Sequence, residues 1–185
     1  PLAPDQVEPV KMCQKEVNRL KRLVGDLLDL TRIEAGRLPM AKDPVVLQDI
    51  LAVVVQLYGG LLKERGLSFA VDLPEAEAVV VGDRDRLQQV FVNLISNAAK
   101  FTHQGGIQVR LMRDGSEFHV EIEDTGGGIA KDDLERIFDK FERVGRAEEQ
   151  EGSGLGLPIA RDIAELHHGR LWAESQLGRG SRFIV

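Results

Sequence analysis

The stretch 107–122 constrains this fold more than any other. Ile107, Val109 and Leu111 alternate with polar residues, Asp114-Gly115 is a turn signal, and Phe118, Val120 and Ile122 alternate again. Successive side chains of a strand point to opposite faces, so the pattern reads as a β-hairpin with one buried face. A lone hairpin is marginal in water, and its apolar face has to be covered. Three helical stretches can supply the cover. One spans 46–65, weakened in the middle by Gly59-Gly60 and stopped by Gly66. A second runs from an Asp83 N-cap to about Phe101, and a third spans 155–167. Segments 67–72, 78–81, 171–174 and 182–185 are strand-like. Strands interspersed with helices specify the α/β class, here a two-layer α/β sandwich with a mixed sheet covered by helices on one face.

The first 38 residues have a different period. After a capping loop at 1–5, Val10, Cys13, Val17, Leu20, Val24, Leu27 and Thr31 recur in steps of three and four. That is a coiled-coil-like seam, and Leu23, Leu28 and Leu30 widen it to a bundle face. Gly36 and Pro39 end the helix. Either it packs on the same domain, or it is one helix of a dimerising bundle whose other helix lies elsewhere. At 185 residues the chain can bury one good core plus such an appended element. The net charge of -6 argues against a general nucleic-acid binder. The single cysteine, Cys13, rules out an intramolecular disulfide and reads as a core residue. Apolar runs such as 50–55 are far too short to cross a bilayer. The chain has no initiator Met and ends within an apparent strand, Ser181-Arg182-Phe183-Ile184-Val185, and so reads as a piece of a longer protein.

Chemistry-bearing residues fall in three places. On the helix from Asp83, Arg86, Gln89, Asn93, Asn97 and Lys100 form one stripe beside the apolar face of Leu87, Val90, Phe91, Leu94 and Ala98. A polar stripe is ordinarily a solvated surface. Asn suits that role poorly, because its side chain competes with the helix backbone. An Asn oxygen is a hard ligand suited to Mg²⁺, and Lys100 can offset phosphate charge. Next, Asp124 ends the hairpin and opens Thr125-Gly126-Gly127-Gly128. A carboxylate only accepts hydrogen bonds, so a buried Asp would take the exocyclic amino group of adenine and penalise the oxygen of guanine. An Asp-rich turn after a strand is the plainer reading, although three glycines exceed what it requires. Lastly, Gly152, Gly154 and Gly156 precede a helix, a setting suited to phosphate oxygens. Residues 143–151 are charged and read as a lid over a triphosphate, or as an exposed loop.

In this order the motifs resemble the catalytic and ATP-binding domain of bacterial sensor histidine kinases, within the gyrase, Hsp90, kinase and MutL ATPase superfamily. Residues 93–102 (NLISNAAKFT) are similar to the family's N box, 124–129 (DTGGGI) to its G1 box, 138–143 (FDKFER) to its F box and 152–157 (GSGLGL) to its G2 box. Residues 27–38 resemble the end of the second helix of the dimerisation and phosphotransfer domain. The resemblance implies two domains. Residues 1–38 would be that helix, without the first, and 39–185 the ATP-binding domain. It implies that Asn97 ligates Mg²⁺ with Asn93 beside it, and that Lys100 and Arg143 meet phosphates. Asp124 would accept from adenine, with Gly126 and Gly128 making room for the base. Gly152, Gly154, Leu155 and Gly156 would line the nucleotide, and Phe138 and Phe141 would pack the lid root. ATP, a response-regulator receiver domain and a second copy of the protein would be the partners. This part of the protein would be cytoplasmic, whether or not the parent is anchored in a membrane.

Two departures sharpen the expectation. The family's phosphoacceptor setting, His-Glu/Asp-x-x-Thr/Asn-Pro, is absent, and His103, His119, His167 and His168 lie in other contexts. The hydrolytic members place a water-activating Glu where this chain has Asn93. The γ-phosphoryl group is then expected to wait for another nucleophile, a histidine on the missing helix. A hydrolytic ATPase used as a conformational clamp and a non-catalytic docking module are the alternatives. Asn93 counts against the first, and the intact glycines with Asn97 against the second. His168 stands where the family usually has Gly.

Overall fold

The computed structural model describes residues 3–143 and 153–185. It divides into two compact units, Pro1–Leu38 and Pro39–Val185.

The first unit is one helix, α1 (Pro4–Glu34). It starts inside the expected capping loop, since proline is at home in a first helical turn. Gly36 ends it with φ +62°, and the Arg37 N–H bonds back to the Arg32 carbonyl at 2.8 Å. Such a left-handed stop suits glycine. The seam residues Val17, Leu20, Val24 and Leu27 are exposed, and so is Cys13, against the expectation of a core position.

The second unit opens with β1 (Asp43–Val46), followed by α2 (Leu47–Glu64), β2 (Ser68–Asp72) and β3 (Val79–Gly82). Then come α3 (Arg84–Phe101), the hairpin β4 (Gly106–Asp114) and β5 (Glu117–Asp124), two short 3₁₀ turns (Lys131–Asp133 and Arg136–Phe138), α4 (Gly156–Leu166), β6 (Trp172–Gln176) and β7 (Gly180–Ile184). β1 ends at Val46, where the helix was expected to begin. It carries Pro44 and, among the described residues, pairs only with β3, in a separate antiparallel ribbon. Proline is tolerated on such an edge.

The main sheet runs β2-β4-β5-β7-β6, with β2 parallel to β4 and the other pairs antiparallel. It is mixed, as expected. On one face Ile107, Val109, Leu111, Val120, Ile122 and Phe183 are buried, with the α2 side chains Ile50, Leu51 and Val54 and the α3 side chains Val90, Phe91, Leu94 and Ile95 completing the core. The opposite face is a lattice of ion pairs. Arg110 reaches Glu121 at 2.9 Å and Glu123 at 2.6 Å, and Arg182 pairs with Glu174. These cross-strand charges leave the open face wet and make it a poor template for sheet stacking.

Candidate functional site

Helix α3 is fixed at its start by Asp83. The carboxylate accepts from the N–H groups of Asp85 (3.0 Å), Arg86 (3.1 Å) and Ala41 (2.9 Å). Partial burial raises the pKa of Asp83, but these three N–H bonds and the charge of Arg86 outweigh it and hold the carboxyl below its ordinary value. His167 closes the same corner from the end of α4. Its Nε2 accepts from the Asp83 N–H at 2.9 Å and its Nδ1 donates to the Ile163 carbonyl at 2.8 Å. Both ends of the imidazole are thereby used.

The polar stripe of α3 is half-buried rather than solvent-facing. Asn93 Nδ2 donates to the Gly156 carbonyl at 3.0 Å, which joins the middle of α3 to the first residue of α4. One turn on, the Asn97 amide makes no hydrogen bond among the described residues. Lys100 Nζ lies 4.4 Å from the centre of the Phe101 ring. Leu155, just before α4, is buried, and its N–H bonds to the Ser153 hydroxyl at 3.2 Å. Gly154 accepts from the Phe141 N–H at 3.1 Å.

The other end of the site is the tip of β5. Asp124 is only 5% exposed. Burial pushes its carboxyl up from the ordinary value, and N–H bonds from Gly126 and Ser181 offset this in part. The Gly126 N–H reaches Asp124 Oδ1 at 2.8 Å. A Cβ at Gly126 would stand 2.5 Å from the Phe101 carbonyl, so the turn passes directly against the end of α3. Gly128 has φ +68°, and a Cβ there would collide with the Gln176 carbonyl. Gly127 faces open space. Two of the three glycines are thus demanded by geometry. Thr102, where α3 ends, is fully buried, and its hydroxyl has no partner among the described residues.

The structure therefore brings Asn93 to Gly156, and Asp124 to Gly126 at the end of α3. Arg143 is exposed at the edge of the described residues. Residues 144–151 of the expected lid, and Gly152 of the glycine loop, lie outside them. Phe138 is buried, with the Arg161 guanidinium 5.4 Å from its ring centre. Phe141 corrects the expectation of packing: it is 62% exposed and has φ +65°. Left-handed backbone is rare for a bulky side chain and marks local strain. Ser175 joins this end of the site, and no motif in the sequence marks it. Its hydroxyl accepts from the Ile129 N–H at 2.7 Å, which ties the turn after Asp124 to β6. A lone serine in a short strand gives no periodic signal that would single it out.

The family model described as Histidine kinase-, DNA gyrase B-, and HSP90-like ATPase matches residues 82–185. The chain is 34% identical over 192 residues to the autoinducer 2 sensor kinase/phosphatase LuxQ of Vibrio cholerae, covering all of this chain and 22% of LuxQ. It is 33% identical over 172 residues to the adaptive-response sensory kinase SasA of Synechococcus elongatus, covering 92% of this chain and 44% of SasA. The chain thus spans less than half the length of these relatives. The crystal structure of full-length ShkA in complex with AMPPNP superimposes with a TM-score of 0.85 at 29% identity, covering all of this chain and 39% of ShkA. With the matched segment running from the Asp83 corner through both glycine turns, the chain belongs to the histidine kinase-, DNA gyrase B- and HSP90-like ATPase family.

Proposed function

We propose that this chain is the kinase part of a sensor histidine kinase. In this reading residues 39–185 bind Mg-ATP, and residues 1–38 are the second helix of the dimerisation and phosphotransfer bundle. The γ-phosphoryl group goes to a histidine on the bundle's first helix, and from there to an aspartate of a response-regulator receiver domain. The observation that carries the reading is the Asn93–Gly156 hydrogen bond, which sets the α3 stripe beside the start of α4. An anion at that helix start would meet Asn97 and Lys100 from the side.

Mg²⁺ fits the donors present. Among the described residues no cluster of three or more His, Cys, Asp or Glu could hold a metal, and Asn97 offers one hard oxygen that is not otherwise engaged. Such a site suits a cation that arrives with phosphate oxygens and keeps its waters. When bound, the ion would neutralise charge on the phosphates. Asn93 cannot take a proton from water, and its amide is already committed to Gly156. Transfer to an external nucleophile is therefore favoured over hydrolysis. Two of the internal histidines are held away from that role. His167 is bonded at both ring nitrogens, and His119 sits in β5 with its ring centre 6.0 Å from that of Trp172.

The test uses radiolabelled ATP. The chain alone should acquire no acid-labile, base-stable label. Mixing it with a polypeptide carrying a His-Glu-x-x-Thr-Pro helix able to pair with α1 should place label on that polypeptide. Label on this chain alone, removed by His103→Gln, would overturn the assignment.

A further inference from the structure

Ser175 is saturated in a way that fixes a proton elsewhere. Its Oγ lies 2.7 Å from the Ile129 N–H, 2.7 Å from the Gly180 carbonyl and 3.0 Å from Ser181 Oγ. A serine hydroxyl has one proton and two lone pairs. The Gly180 carbonyl can only accept, so it takes the Ser175 proton. The Ile129 N–H can only donate, so it occupies one lone pair. The second lone pair then accepts from Ser181, whose own proton is committed to Ser175. Ser181 is left with lone pairs alone.

That matters because of where Ser181 stands. It pairs directly with Asp124 across β5 and β7, and Ser175 pairs directly with Ser181 across β6 and β7. Directly opposed residues of an antiparallel ladder share a face. Ser175, Ser181 and Asp124 therefore form a row on the helix-covered face, with Asp124 and Ser181 both buried. The same serine braces the glycine turn, and the Gly178 N–H adds a second tie to the Gly127 carbonyl at 2.7 Å.

We infer that Ser175 is a positioning residue for base selection: it holds the turn after Asp124 in place and keeps the Ser181 hydroxyl turned so that the base-reading end presents acceptors only. The two acceptors, Asp124 and Ser181, are assigned to the exocyclic position of the base, where the adenine amine offers two N–H donors and hypoxanthine presents an oxygen; the N1–H of hypoxanthine lies beyond them. The inference rests on the adenine-nucleotide reading proposed above. In Ser175→Ala the Ser181 proton is released, the hydroxyl can rotate to donate, and discrimination falls.

Calorimetry with ADP and inosine diphosphate tests this on the whole chain. Wild type should prefer ADP. In Ser175→Ala the ADP-to-IDP affinity ratio should fall about tenfold, the scale of one hydrogen bond gained or lost. Ser175→Thr, which keeps the hydroxyl, should restore the ratio, and Ser175→Ala should cause no further fall when Ser181 is already Ala. A purely structural serine would weaken both ligands equally. An unchanged ratio in Ser175→Ala, with a discriminating wild type, overturns the role of Ser175 alone. A wild type that binds ADP and IDP equally overturns the adenine reading instead. Should Ser175→Ala fail to fold, Ser175→Cys, whose thiol is a poor donor and acceptor, must show the same fall in ratio, or the inference is wrong.

Discussion

The two ends of the candidate site are built differently. At the tip of β5, Asp124, Ser181 and Ser175 are knit to the backbone of Gly126, Ile129 and Gly180, and the turn is pressed against the end of α3 and the β6–β7 hairpin. Where the middle of α3 meets the start of α4, Asn93 bonds to the Gly156 carbonyl, while the Asn97 amide is unengaged among the described residues. In the reading proposed above the first is the base end, organised by the fold itself, and the second is the phosphate end, where Asn97 would meet a group that arrives from outside. That division suits a protein that must select one nucleotide and then hand part of it on.

The largest expected effect separates two neighbouring glycines. Gly128→Ala forces a Cβ into the Gln176 carbonyl in left-handed backbone and should cost roughly 3 kcal/mol of stability. Gly127→Ala meets nothing and should stay within about 0.5 kcal/mol. Chemical denaturation of both variants checks this, and equal losses would mean that the turn is not braced as described.

Asp124→Asn comes next. Losing a charge-assisted bond to the adenine amine should weaken ADP by about 1.5–3 kcal/mol. The nucleotide-free protein should melt no lower than wild type, because burial already disfavours the Asp124 charge. The same shift sets a pH dependence. With the folded pKa above the ordinary 3.8, the folded state holds the proton more tightly than the unfolded one, so the contribution of Asp124 to stability falls as pH rises between the two values. ADP affinity should rise over that same window, as the carboxylate forms. Paired melts and titrations in acid and at neutral pH would expose a contrary sign.

At the proposed phosphate end, Asn97→Ala should weaken ATP in Mg²⁺ yet change stability by no more than about 0.5 kcal/mol, since among the described residues the side chain has no hydrogen-bond partner to lose. A further effect lies outside the site. His168 has φ +62°, so His168→Gly should stabilise the fold by about 1 kcal/mol in thermal unfolding.

Much of this was legible in the sequence because it is periodic or punctuated. The hairpin, the Asp83 cap and the α3 stripe follow from alternation, capping chemistry and the helical repeat. His168 was noted as standing where the family usually has Gly, and its φ of +62° is the physical reason glycine suits that position. Elements that depend on a distant partner were not legible. β1 is four residues with a proline, stabilised by β3 more than 30 positions away. The exposed ring of Phe141 departs from the lid-root packing that the resemblance implied, with its backbone N–H bound to the distant Gly154 carbonyl. Ser175 acquires its role only from Ile129, Gly180 and Ser181, which converge in space.

The proposed division into a base end and a phosphate end is tested most directly by titrating adenosine and ATP into the wild-type chain, each with Mg²⁺ and with a chelator. Adenosine reads the base end alone and should bind with the same affinity in both conditions, while ATP should bind more tightly in Mg²⁺. Equal ATP affinity with and without Mg²⁺, or adenosine binding that depends on the ion, would contradict the account.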